Sequence, residues 1–342
     1  MDKILFGSTG LKVSKIAFGG IPIMRLSKVE AVKVVKDVLS MGINFIDTAN
    51  GYGDSEEKIG EAIKDFSREE LIISSKSEAR DKKDFLQYID LSLKRLDTEY
   101  IDIYHLHGIN SEEEFSRVME PDGAYAGLLK AIEMGKVRYA AFSSHKIPLA
   151  IKILKSKKFQ ATQIPFNFVD DEAEKEIIPL SRKLSIGFIA MKPMGGGLLN
   201  DANLAIRYLA QFEGIVPDPG IEKSDEMAEI IKISENPRPL LKVEKENIKK
   251  IRKEMGKEWC HRCEYCMPCP QGIPISAILS VKSMVKRIPI DEISQFMDDA
   301  IEKVNACKEC EECISKCPYN LKIPELLKKN KDFYKSYKEE NS

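Results

Sequence analysis

No cysteine occurs before Cys260 in this chain of 342 residues, and all eight lie between there and Cys317. No apolar run reaches the length of a membrane span. A formal net charge of −1 leaves no electrostatic footprint for nucleic acid. No Gly-x-Gly-x-x-Gly turn follows the first strand-like segment, where Phe18-Gly19-Gly20-Ile21-Pro22 stands instead. The usual mark of an open, doubly wound dinucleotide-binding sheet is therefore missing. No flavin motif, low-complexity segment or signal-peptide pattern is visible. What is present is a chain long enough for about two domains and, at 43% hydrophobic, able to bury a core.

The cysteines form two runs, Cys260-x2-Cys263-x2-Cys266-x2-Cys269-Pro270 and Cys307-x2-Cys310-x2-Cys313-x3-Cys317-Pro318. Three thiols two residues apart wrap one side of an iron–sulfur cubane, and a distant fourth closes it. The second run has the spacing of bacterial ferredoxins, in which the fourth Cys ligates the other cluster. The expected ligand sets for two [4Fe–4S] clusters are Cys260, Cys263, Cys266 and Cys317, and Cys307, Cys310, Cys313 and Cys269. The first run departs from the pattern with x2 before Cys269. A four-thiolate zinc site would use two separated Cys pairs, and a disulfide framework suits short secreted chains. His261 is expected to stay outside both ligand sets.

Upstream, 4–6 and 11–13 flank Gly7-Ser8-Thr9-Gly10 as a hairpin. Strand patterns then fall at 15–19, 44–48, 71–75, 101–106, 137–142, 161–165, 187–191 and, poorly, 215–216, with helical patterns between them. Ser27-x-x-Glu30 is a capping box, and Phe85, Ile89, Leu93 and Leu96 share one helical face. Eight strand–helix units predict an α/β fold, a (β/α)8 TIM barrel with an amino-terminal hairpin. Pro217 and Pro219 weaken the eighth strand because they donate nothing to a ladder. The expected organisation is a barrel over 1–240, a linker helix over 241–256, a small all-helical 2[4Fe–4S] domain over 257–325 and a Lys-rich tail over 326–342 that starts as a helix and then frays.

Reactive groups of such barrels sit at the carboxyl ends of the strands. Three strands deliver Asp47, Lys76 and His107 there, and the loop after the second adds Tyr52. Each has an ordinary reading: a loop cap, a solvated lysine, a hydrogen-bonded core histidine, a packing tyrosine. Together they suit one task. An ammonium near a phenol favours the phenolate, lowering the pKa of Tyr52, and Asp47 holds the ammonium. His107 meets a substrate oxygen, and the phenol protonates an alkoxide as hydride arrives at carbon.

Asp47-Thr48-Ala49-x-x-Tyr52-Gly53 with Ser55-Glu56-x-x-Ile59-Gly60 resembles the aldo/keto reductase signature, and the resemblance covers residues 1–235. It implies Asp47, Tyr52, Lys76 and His107 as catalytic tetrad, and a nicotinamide cofactor lying across the barrel mouth. It further implies cofactor contacts at Ser143, Ser144, Gln163 and Met191, the last in place of a stacking Tyr. Lys192 and the Gly195-Gly196-Gly197 turn would meet pyrophosphate. In the segment from Gly220, Glu226 stands where relatives that use NADPH hold its phosphate with Arg, which predicts NADH over NADPH. Trp259–Gly272 resembles the family's subgroup with an added 4Fe–4S ferredoxin-type domain. The implied function is cytoplasmic carbonyl/alcohol redox chemistry on a small substrate, coupled to one-electron transfer with a ferredoxin or similar protein. The alternatives are a carbonyl reductase with structural clusters and a non-catalytic electron carrier with a nucleotide-binding barrel.

Overall fold

In the computed structural model, which describes residues 1–341, the chain opens with an antiparallel hairpin, β1 (Lys3–Leu5) and β2 (Lys12–Ser14). Eight parallel strands follow: β3 (Phe18–Gly19), β4 (Phe45–Asp47), β5 (Ile72–Ser77), β6 (Ile101–Leu106), β7 (Val137–Ser143), β8 (Ala161–Pro165), β9 (Gly187–Met191) and β10 (Ile215–Asp218). They pair in chain order. The two edges meet, with Ala17 N donating to Pro217 O at 2.8 Å, Gly19 N to Pro219 O at 3.0 Å, and Gly19 bridging Gly220. The fold is the expected TIM barrel. Its eighth strand tolerates Pro217 because the closing bond uses that residue's carbonyl and not an N–H. β3 is shorter than the pattern over 15–19, pairing with β4 only at Phe18 and Gly19.

Ala17, just before β3, and Phe45, Ile72, Ile103, Ala141, Ala161, Ile189 and Val216, one from each of β4 to β10, form an inward apolar layer. Phe6, Leu11 and Val13 of the hairpin segment pack onto that layer. The helix Lys28–Ser40 begins at the predicted capping box, with Glu30 N donating to Ser27 Oγ and Ser27 N to Glu30 Oε2.

Contacts divide the chain into two compact units. Met1–Met194 and Asp201–Leu240 form the first, and Gly195–Asn200 joins everything from Leu241 onward in the second. The second unit is helical, with a core including Ile273, Ile278, Val281, Ile293, Met297 and Leu327. The helical start expected of the tail continues without fraying to Asn341, as the last helix, Ile323–Asn341. Leu326, Leu327 and Tyr334 are buried on it, Tyr334 Oη donates to Asp298 at 2.7 Å, and Lys338 pairs with the same carboxylate at 2.6 Å. No helix among the described residues is long and apolar enough to cross a membrane.

Gly60 lies inside the helix Ser55–Ile63, where alanine ordinarily gains stability. A Cβ there would stand 2.5 Å from the Arg95 carbonyl oxygen, so two helices meet through its bare backbone. Gly60→Ala should therefore lower stability by roughly 1–3 kcal/mol, read as a lower denaturant midpoint at unchanged slope.

Candidate active site

Side chains two residues apart on a strand share a face. The layer next above the apolar one, toward the carboxyl ends, thus comprises Gly19, Asp47, Ser74, His105, Ser143, Gln163, Met191 and Asp218, mostly polar. Five of them are hydrogen-bonded into one buried group. Ser74 Oγ donates to Asp47 Oδ1 at 2.9 Å and stands 3.0 Å from His105 Nε2. Gln163 Nε2 donates to Asp47 Oδ2 at 2.9 Å and to Asp218 Oδ2 at 2.7 Å. Ser74 gives its only hydrogen to Asp47, so His105 is the donor at Nε2.

One step further along β5, Lys76 is buried with its ammonium 2.6 Å from Asp47 Oδ2 and 2.7 Å from Thr48 O. Burial alone would push Asp47 up and Lys76 down. Their mutual attraction outweighs it, holding the carboxyl below its usual range and the ammonium above. Burial and the nearby Lys76 charge push His105 down to about 3, so it is neutral. Burial and the Asp47 charge instead hold Asp218 well above the usual carboxylate range, and its Oδ1 has no protein partner.

Tyr52 sits on a turn fixed from several sides. Tyr52 N donates to Ala49 O, Ser55 N to Tyr52 O, Asn50 N to Lys76 O, and Arg95 to Asn50 O. The Lys76 ammonium lies 5.1 Å from the Tyr52 ring centroid, and the His107 ring meets that ring edge-on at 6.2 Å. His107 is a fifth exposed; burial and Lys76 favour its neutral form. Asp47, Lys76, Tyr52 and His107 thus come together at the carboxyl ends of neighbouring strands. The carboxylate anchors the ammonium, which faces a phenol next to a neutral imidazole.

The aldo/keto reductase family model matches residues 6–213. The chain belongs to the aldo/keto reductase family. A 4Fe-4S dicluster domain model matches residues 259–322. Similar proteins include a probable aldo-keto reductase 1 of Glycine max, 30% identical over 215 residues, 58% of this chain and 60% of that protein. An uncharacterized oxidoreductase YqkF of Bacillus subtilis is 28% identical over 218 residues, 60% of this chain and 68% of that protein. The match thus spans only about three fifths of the length of the soybean relative. The aldo-keto reductase AKR11C1 of Bacillus halodurans, solved in its holo form, shares the fold with TM-score 0.63 and 23% identity, over 73% of this chain and 96% of that one.

The residues that the aldo/keto reductase resemblance assigns to the cofactor have varied surroundings. Ser143 Oγ accepts from Gly108 N at 2.9 Å and Ser144 Oγ from Lys146 N at 3.1 Å. Met191 ends β9, half-buried. Lys192, left-handed at φ 57°, places its Nζ 3.0 Å from His145 Nε2. Gly195 and Gly196 belong to the second unit, where packing explains them: a Cβ at Gly195 would stand 2.6 Å from Trp259 and one at Gly196 2.3 Å from Ser283 Oγ. Gly220 is needed at the barrel seam, a Cβ there falling 2.7 Å from Pro22. Glu226 Oε2 accepts from Glu222 N and Lys223 N, capping the helix Ser224–Ser234, so this oxygen is committed to the fold. Ser74, His105 and Asp218 were not singled out in the sequence; each lies two residues beyond an inward apolar residue.

In the second unit Cys266, Cys269, Cys307, Cys310 and Cys313 line one cavity. Cys266 also neighbours Cys260, Cys263 and Cys317: burial first, then these neighbouring thiols, pushes Cys260 to about 11 and Cys266 to about 12. The two runs repeat one backbone. Residues before and after the second Cys of each are left-handed, Arg262 (58°) and Glu264 (58°) in the first, Glu309 (51°) and Glu311 (60°) in the second. Such reversals turn successive N–H groups toward a common concavity, the arrangement that holds anionic iron–sulfur centres. Among the described residues no three His, Cys, Asp or Glu converge as one metal ion would require. His261 stacks on Tyr319 at 3.9 Å.

Removing the Lys76 charge strands Asp47 in the barrel. Lys76→Met should cost roughly 3–5 kcal/mol of stability, and Lys76→Met with Asp47→Asn should recover a large part of it; equal losses in the single and double variants would mean that the pair is not coupled.

Proposed function

We propose that the chain is a nicotinamide-dependent oxidoreductase for a small carbonyl/alcohol pair, coupled to one-electron exchange through two [4Fe–4S] clusters. The observation that carries the reading is the meeting of Tyr52, Lys76, Asp47 and His107 at the barrel mouth. A bound nicotinamide supplies or takes the hydride. Tyr52 gives a proton to the substrate oxygen, and the Lys76 ammonium stabilises the charge left on the phenol. Asp47 keeps Lys76 charged and fixed. Neutral His107 hydrogen-bonds the same substrate oxygen and orients it. The orphaned, buried Asp218 Oδ1 beside Gln163 suits a polar cofactor group.

The proposed cluster ligands are Cys260, Cys263, Cys266 and Cys317, and Cys307, Cys310, Cys313 and Cys269. When bound, such clusters pass single electrons. The thiol groupings and the paired left-handed loops support both sets. NADH is proposed over NADPH because Glu226 would repel a 2′-phosphate. A ferredoxin-like protein is the proposed electron partner. A second reading, clusters as structural staples, is favoured by one observation: Cys260, Cys269, Cys307, Cys313 and Cys317 all pack on the apolar core of the helical unit.

Anaerobically prepared protein should hold about eight irons. Tyr52→Phe should lower carbonyl reduction by about 10²–10⁴-fold with iron content unchanged; full activity would remove the tetrad from the chemistry. NADH, substrate or reduced ferredoxin should produce the EPR signal of reduced clusters. A signal with dithionite alone would replace electron transfer by the staple reading.

A further inference from the structure

His107 stands one residue past β6, where the chain leaves the sheet. Its N–H makes a last bond to the neighbouring strand, donating to Ser77 O at 3.0 Å. Gly108, at φ 65°, then turns the chain away. The carbonyls of His107 and Gly108 are both taken by one side chain. Arg80 Nη1 donates to His107 O and to Glu78 O, each at 2.9 Å. Its Nη2 donates to Gly108 O at 3.1 Å and to Glu114 Oε1 at 3.0 Å. The two terminal nitrogens thereby spend all their hydrogens. Glu114, on the helix Glu112–Met119, accepts from Asn110 N at 2.7 Å with its other oxygen, closing the loop that follows His107.

We propose that Arg80 is a positioning residue for the carbonyl/alcohol chemistry, fixing the His107 peptide and through it the imidazole relative to Lys76. The assignment rests on the oxidoreductase reading above and adds a residue outside the tetrad. β5 delivers Lys76, its last residue Ser77 accepts the His107 N–H, and Arg80, three residues on, holds the His107 carbonyl. One short stretch, Lys76 to Arg80, therefore places the ammonium and grips the imidazole-bearing peptide from both ends. The same guanidinium holds the backbone of Glu78, whose carboxylate stands 3.6 Å from His107 Nδ1. Three of the four acceptors are backbone carbonyls, so the side chain acts through the fixed directions of its planar fork more than through its charge. Glu114 aims that fork: its carboxylate pairs with the guanidinium from the far side of the loop. An arginine that only stapled the loop would affect stability in every variant alike. One that places His107 should matter to the reaction only while the imidazole is there.

The test uses the full chain, anaerobically prepared, with acetaldehyde, glyceraldehyde and benzaldehyde as probes and NADH binding followed by calorimetry. Arg80→Met keeps the stem and donates nothing; the site is a fifth exposed, so water can reach the freed carbonyls. It should lower kcat roughly 10²-fold with NADH affinity as in the wild type. In a His107→Ala background, followed by single turnover, the same change should cost nothing further. Amide deuterium uptake should rise in peptides covering 107–111 and stay unchanged within β6. Arg80→Lys, which keeps the charge and loses the fork, should also lower kcat and tests the assignment should the Met variant fail to fold. An unchanged kcat in either variant, unchanged exchange over 107–111, or an equal loss with and without His107 overturns the assignment and leaves the oxidoreductase reading standing. Full activity of Tyr52→Phe, or no turnover of the three aldehydes by folded, iron-loaded wild-type protein, removes both readings together.

Discussion

The ion pair between Lys76 and Asp47 constrains everything around it. Both groups are cut off from water in the barrel interior, so neither charge survives without the other. Burial first, and then the charges of the pair, set its neighbours' protonation. Its positive end disfavours charge on His105 and His107; its negative end disfavours a second charge on Asp218. Burial and one salt bridge together turn a set of ionisable side chains into fixed donors and acceptors, which a polar site in a low-dielectric interior needs. The bonds from Ser74 and Gln163 hold the carboxylate so that the ammonium can face Tyr52.

The barrel follows from a simple change of composition along its strands. Inward positions are apolar from Ala17 to Val216 and turn polar two residues later. The apolar layer holds the sheet closed, and the polar layer gives it a reactive end. The helical unit solves a different problem. Its core is small, and several of its inward-facing groups are thiols. Apolar burial alone yields little stability in a unit of this size, so metal binding would be part of its folding free energy.

Much of this was legible in the sequence. The strand pattern, the capping box and the Asp47 to Gly60 motif stood out because local periodicity and spacing carry them. Two parts were not. His105 and Asp218 look like an ordinary strand residue and a loop residue until strand parity is counted from Ile103 and Val216; Pro217 obscured that count at the eighth strand. The Gly195-Gly196-Gly197 turn and Glu226 invite a cofactor reading, yet packing against Trp259 and Ser283 and a helix cap account for them locally. The packing at the glycine turn depends on residues far away in the chain. The last helix is legible only at its start for a related reason: its many lysines suggest solvation, while its buried stripe of Leu326, Leu327 and Tyr334 requires partners to be seen.

The cavity that gathers Cys269 with Cys307, Cys310 and Cys313 is also walled by Pro324 and Leu327. Its walls therefore come from both cysteine runs and from the helix that ends the described chain. On a ribosome, the strands of the barrel are all synthesised before the first thiol appears, and the cavity lacks a side until Leu327 has been added. A cluster held there would be inserted only after that helix is made, and a nascent chain halted before it would present its thiols in a half-built nest.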